Sequence, residues 1–144
     1  MKEDYLIKVT GVQEIDGDSD TVEIITSGTL MYRDGRFLIK YTERDNDDPR
    51  IAIDNSVLVN GDTQVTVIRN VGAESRLILE KGRRHQCIYS TVAGDLSVGV
   101  YTEYIKNTLK ENVGGKLSLK YSLDFNAGLV SNNELHINKK KKEV

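Results

Sequence analysis

An all-β fold is predicted, a single antiparallel meander of about eight to ten strands closed into a barrel. Three observations predict it. Apolar and polar residues alternate with period two from one end of the chain to the other, which sets one face of each strand against a core and the other in water. Turn residues interrupt the alternation every roughly eight to twelve positions, the spacing of consecutive hairpins. The connections are short, and a parallel pairing would need a crossover of about a dozen residues or more. GGKLSLKYSLDF (residues 114–125) is the cleanest case, with Leu117, Leu119, Tyr121, Leu123 and Phe125 on one side and Lys116, Ser118, Lys120, Ser122 and Asp124 on the other. An open sheet of this size would leave two edges able to template aggregation, and closure removes them. Sequential hairpins with few long returns favour a barrel over a sandwich.

Residues 5–15 (YLIKVTGVQEI) read as the first strand and DGDSD at 16–20 as a turn, since Asp and Gly tolerate turn backbones. A second strand runs from Thr21 to Arg33, and Asp34-Gly35 then marks a type I′ hairpin because both residues accept positive φ. RFLIKYTER follows as the third strand, and DNDDP at 45–49 as a polar loop whose Pro49 has no N–H to give a ladder. RIAIDNSVLV continues as strand, with Asn55 a candidate bulge position. Asn60-Gly61 is a second type I′ candidate, leading into DTQVTVIRN. ESRLILE, HQCIYSTV and DLSVGVYTEYI come next, joined by NVGA, KGR and AG. Residues 103–112 (EYIKNTLKEN) carry a helical spacing, Ile105 and Leu109 lying four apart, although two apolar positions give a helix thin support. The 114–125 strand and ELHIN close the domain, assigned to residues 1–138, and a basic tail is assigned to 139–144 around KKKK.

Length and composition fit one domain. The 144 residues suffice for one compact core, and a formal net charge of -2 argues against disorder and against a domain built around phosphate backbones. Cys87 is the only cysteine, so no intrachain disulfide can form. With no apolar run of signal-peptide or membrane-spanning length, a cytoplasmic location is expected.

The second-strand pattern VEIITSG, KYTE at 40–43, VTVIRNVG at 65–72, YSTVAGDLSV at 89–98, Thr102, GGKLSLKYSL and the closing NNELHI occur in an order that resembles the YwiB-like family of small bacterial proteins. That family is a domain of unknown function with a calycin-like (lipocalin-like) barrel. The resemblance covers residues 21–138 and rests on strand residues and turn glycines. It implies a fold and no established activity, so no catalytic residues carry over.

The informative polar residues are those that interrupt the dry face. Val65, Val67 and Arg69 share one side of their strand, so Arg69 points inward if the valines do. Phe37, Ile39, Tyr41 and Glu43 alternate likewise, which puts Glu43 and the Tyr41 hydroxyl on the inner face. An inward guanidinium keeps its charge and has five N–H donors, so it needs a carboxylate, carbonyls, water or an anionic ligand. Either Glu43 neutralises it near one end, the favoured reading, or it anchors a ligand. Tyr89, Thr91, Thr102 and Tyr121 add hydroxyls to the same interior. With no Trp and two Phe, large side chains to fill a lumen are few, although hydrogen-bonded tyrosines packed in a core remain the plainer account.

His85 and Cys87, two apart on a strand, face the same way, yet the only other histidine is His136 and no CxxC pair exists, so neither a zinc site nor a Cys-His dyad is expected. DGDSD begins like a calcium loop but has Thr21 and Ser27 where Gly and Glu are required. KGRRH at 81–85 and the lysine run lack interleaved aromatics, so nucleic acid is not an expected partner, nor is a membrane. GxGxxG, Walker A, HExxH and GxSxG are all absent, and no catalytic residue, cofactor or metal is expected. The expected function is a non-enzymatic barrel that binds a small amphipathic or anionic ligand through Arg69, Glu43, Tyr41, Tyr89, Tyr121 and Thr102. The alternative is an interaction or regulatory module that uses its outer surface around a packed core.

Overall fold

A computed structural model describes residues 5–44, 48, 50, 52–70, 74–91, 94–110, 114–125 and 130–141. The strands are β1 (Tyr5–Ile15), β2 (Asp18–Arg33), β3 (Arg36–Arg44), β4 (Ala52–Asn60), β5 (Gln64–Asn70), β6 (Glu74–Glu80), β7 (Arg84–Thr91), β8 (Gly94–Asn107), β9 (Gly114–Phe125) and β10 (Val130–Lys141). Each pairs antiparallel with its neighbours in sequence, and β1 pairs with both β2 and β10 to close the barrel. The predicted closed meander is therefore the fold.

Local chemistry sets the turns. Asp16-Gly17 and Asp34-Gly35 have φ of 52° and 83°, and 52° and 80°, the doubly left-handed backbone of two-residue hairpins. The first turn is shorter than predicted, so β2 starts at Asp18. At Asn60-Gly61 only the glycine is left-handed, with φ 60°, and Gly61, Asp62 and Thr63 form a three-residue connection. Its Thr63 N–H donates to Asn60 O at 3.4 Å, and Gly61 O accepts from Asn107 Nδ2 at 2.7 Å. That second bond comes from a segment distant in sequence, so the dipeptide alone did not decide the turn. No bulge occurs at Asn55, which sits in register opposite Tyr41 on one side and Arg69 on the other.

The helix suggested over 103–112 does not form in its described residues, 103–110. β8 runs through Asn107, and the register shifts between Thr102 and Tyr104, which leaves Glu103 as the extra residue of a bulge. The bulge changes the inward parity from Thr102 to Ile105, both buried. Beyond the strand, Leu109 N–H donates to Asn107 Oδ1 at 2.9 Å, and Leu109 is buried in the core cluster. A strand position and a folded-over loop residue thus reproduce the four-residue spacing of a helix face. The tail assignment also changes: β10 continues through Lys141 opposite Tyr5, so Lys139, Lys140 and Lys141 are strand residues.

The core fills the half of the barrel nearest the β4–β5 and β8–β9 connections, where Ile7, Ile39, Val57, Val59, Val65, Leu79, Val100, Leu117 and Leu119 are all essentially inaccessible. Leu109 covers that end. Truncating it (Leu109→Ala) is expected to lower stability by about 2 kcal/mol, the lower end for buried leucines because the site is peripheral. A urea titration in which the midpoint did not move would refute this plugging role. The seam between β6 and β7 is thin among the described residues, with Arg76 paired opposite Ile88, and there Ile78 N–H donates to Cys87 Sγ at 3.4 Å.

Candidate functional site

The inner faces turn polar toward the opposite end. There β3 contributes Tyr41 and Glu43, β4 Asn55, β5 Arg69, β6 Ser75, β7 Tyr89 and β9 Tyr121, all projecting inward because each continues the alternation of its strand's buried aliphatics. They line an open-mouthed cavity of about 330 Å³. Its apolar wall includes Val9, Ile24, Val67, Leu77 and Leu123. Gly28 lets β2 approach β3 closely beside the cavity residue Tyr41. It lies opposite Tyr41 on β3 and Tyr5 on β1, and a Cβ there would collide with Ile7 Cδ1 and the Lys40 carbonyl oxygen.

Arg69 and Glu43 form the charged centre. Arg69 Nη2 donates to Glu43 Oε2 at 3.1 Å, and Asn55 Nδ2 donates to Glu43 Oε1 at 3.1 Å and to Ile53 O at 3.2 Å. Both carboxylate oxygens are thereby engaged. The pair is partly buried, with side-chain exposures of 36% for Arg69 and 19% for Glu43. Arg69 Nε is buried and has no hydrogen-bond partner among the described residues. Around this centre the phenols of Tyr41 and Tyr121 are held neutral. Burial, then the Glu43 carboxylate, raise the Tyr41 pKa strongly against the opposing pull of Arg69. Burial, with a smaller contribution from Tyr89, pushes Tyr121 up to about 12.

Of the residues singled out in the sequence, Arg69, Glu43, Tyr41, Tyr89 and Tyr121 all line this one cavity. The ion pair that the residue pattern favoured is present. Thr102 is not among the lining residues: it is fully buried deeper in the barrel, with Oγ1 unpartnered among the described residues and its carbonyl accepting from Gly82 N–H at 2.9 Å. The side chain of Thr91 lies outside the described residues. Sequence reasoning missed Asn55, Ser75 and Gln13 as cavity residues. Asn55 and Ser75 were detectable by the signal that found Arg69, since each interrupts an apolar alternation, Asn55 before Val57 and Val59, and Ser75 before Leu77 and Leu79.

The remaining candidates have local partners. His85 Nε2 shares a hydrogen bond of 2.9 Å with Glu80 Oε1, whose other oxygen lies 3.4 Å from Arg83 Nε. Cys87 is buried and turned to Ile78. Outside the barrel, Met31, Leu38 and Leu58 line a surface groove of about 800 Å³ along the β2–β3 hairpin, where the Tyr32 ring stands 4.9 Å from that of Phe37. Among the described residues no helix is long and apolar enough to cross a membrane.

Comparison with known proteins agrees with this architecture. The crystal structure of the ywiB protein from Bacillus subtilis superposes with a TM-score of 0.77 over 96% of this chain and 92% of that one, at 19% sequence identity, which is a likeness of fold. No curated protein matches the chain. Residues 7–137 match the domain of unknown function DUF1934, and because that match takes in most of the chain, the protein belongs to the DUF1934 family.

Proposed function

We propose that this barrel is a non-catalytic carrier or sensor of a small amphipathic molecule, held in the polar half of its interior. One observation supports the reading above all: a cavity of about 330 Å³ joins a hydrogen-bonded ion pair and three phenols to an aliphatic wall above a solid floor. That size is at the low end of the roughly 300 to 1,000 Å³ of small-molecule pockets. Apolar lining with a few convergent polar groups is the usual composition of such sites. The floor limits the guest to a compact molecule, because the deeper half of the barrel is occupied by side chains.

The test is cavity filling. Val67 faces the cavity and is only partly buried, so Val67→Trp adds an indole to the vacant volume. The fluorescent probe N-phenylnaphthylamine is expected to bind the native protein and to bind Val67→Trp at least about ten-fold more weakly, while the outer-face variant Ile25→Trp binds as the native protein does. Equal binding by Val67→Trp would move the site to the outer groove of Met31, Leu38 and Leu58 and favour the interaction-module reading instead.

A further inference from the structure

The charge inventory of the cavity narrows the class of guest, on the premise that the cavity is the binding site. Among the described residues that line it, Glu43 and Arg69 are the only ionised side chains, and they cancel. Glu43 is also held by Asn55, so both of its oxygens have donors within the protein. A carboxylate guest seeking Arg69 would share the guanidinium with Glu43 and set two negative charges beside one positive charge in a partly desolvated site. An ammonium guest seeking Glu43 would set two positive charges beside one negative charge in the same way. In a site screened less than bulk water the uncompensated like charge is repulsive, which disfavours either ionic head. A hydroxyl, amide or ester head brings no such repulsion, and Tyr41, Tyr89, Tyr121, Gln13 and Ser75 line the cavity as neutral polar groups.

The geometry points to an uncharged amphiphile as the preferred guest, with Glu43 as the residue that sets this preference by occupying Arg69. Of the two guests read from the sequence, amphipathic or anionic, the ion pair disfavours the anionic one. Glu43 acts here as a specificity determinant: it excludes anions by compensating the cation that would attract them. Replacing it with the isosteric glutamine keeps the shape of the site and leaves Arg69 uncompensated. Replacing Arg69 with glutamine leaves Glu43 uncompensated.

Displacement of N-phenylnaphthylamine by octanol, octanoate and octylamine, one chain with three heads, tests the inference. The readout is the octanoate-to-octanol ratio of displacing concentrations in each protein, compared between proteins so that the different water affinities of the two compounds cancel. Native protein is expected to favour octanol. In Glu43→Gln the ratio is expected to shift toward octanoate by about ten-fold or more, and in Arg69→Gln the corresponding ratio shifts toward octylamine. The second variant keeps the test available if the first folds poorly. A ratio unchanged in both variants, or a native protein that prefers octanoate to octanol, overturns the charge selection while leaving the cavity as a binding site. Failure of the native protein to bind either the probe or any of the three compounds overturns the cavity reading itself, and the selectivity with it.

Discussion

Gly28→Val is expected to lower the stability of the fold by about 3 kcal/mol or more. Gly28 is buried on the inner face of β2, between Tyr5 of β1 and Tyr41 of β3. The space a side chain would take holds Ile7 Cδ1 and, less yielding, the carbonyl oxygen of Lys40, with Tyr41 Cβ in tight contact at 3.3 Å. A side-chain methyl can rotate away, but a ladder carbonyl moves only if β2 and β3 separate. Overpacking a well-filled core typically costs about 1 to 3 kcal/mol and occasionally more. Collision with backbone puts this site at the upper end or beyond, a large fraction of the roughly 5 to 15 kcal/mol that holds a domain folded. Gly11 is the control. It lines the cavity from β1, and a Cβ there would meet nothing within 4 Å, so Gly11→Ala should change stability by less than about 1 kcal/mol. Circular dichroism and urea titration of the two variants would decide it, and a Gly28→Val protein as stable as Gly11→Ala would show that β2 and β3 do not pack as described.

Stability should fall steeply above pH 10, and the cavity tyrosines should be responsible. A phenol in the unfolded chain ionises near pH 10. Tyr121 in the folded protein is pushed up to about 12 by burial, and Tyr41 is raised in the same sense by burial and by Glu43. Below pH 10 both phenols are neutral in both states, and their contribution is intact. Between pH 10 and the folded value the unfolded chain releases protons that the native protein retains, so rising pH favours unfolding. For Tyr121 alone a shift of that size amounts to roughly 2 to 3 kcal/mol by about pH 12. Tyr41 adds to it. The double variant Tyr41→Phe/Tyr121→Phe should lose this dependence, so that its stability falls less steeply than the native protein's between about pH 9 and 11.5. Parallel stability curves for the two proteins would mean that the phenols sit in water rather than against the core. At neutral pH, neutral phenols also supply the donors and acceptors that the proposed uncharged head would meet.

The sequence by itself determined the all-β class, the hairpin order and the inner face of the barrel, because a strand's period of two is a local property repeated residue by residue. Arg69 following Val65 and Val67, Glu43 following Ile39 and Tyr41, and the alternations that hold Tyr89 and Tyr121 put five cavity residues on that face, and the first two patterns paired Arg69 with Glu43. Strand continuity through Lys141, by contrast, was set by the partner β1, whose Tyr5 carries the ladder past the point where composition turned basic.

Tertiary structure alone decided where the lumen is full and where it is empty. The bulge at Glu103 brings Ile105 inward, and Leu109 folds over one end, which fills that half of the barrel and turns an apparent helix face into a stopper. Thr102 fell on the packed side of that boundary and Tyr121 on the other, although their strands are paired and the two residues lie opposite one another. The physical reason is that a cavity is the difference between the volume enclosed by ten strands and the summed volume of the side chains they send inward, and both quantities are set by residues far apart in sequence.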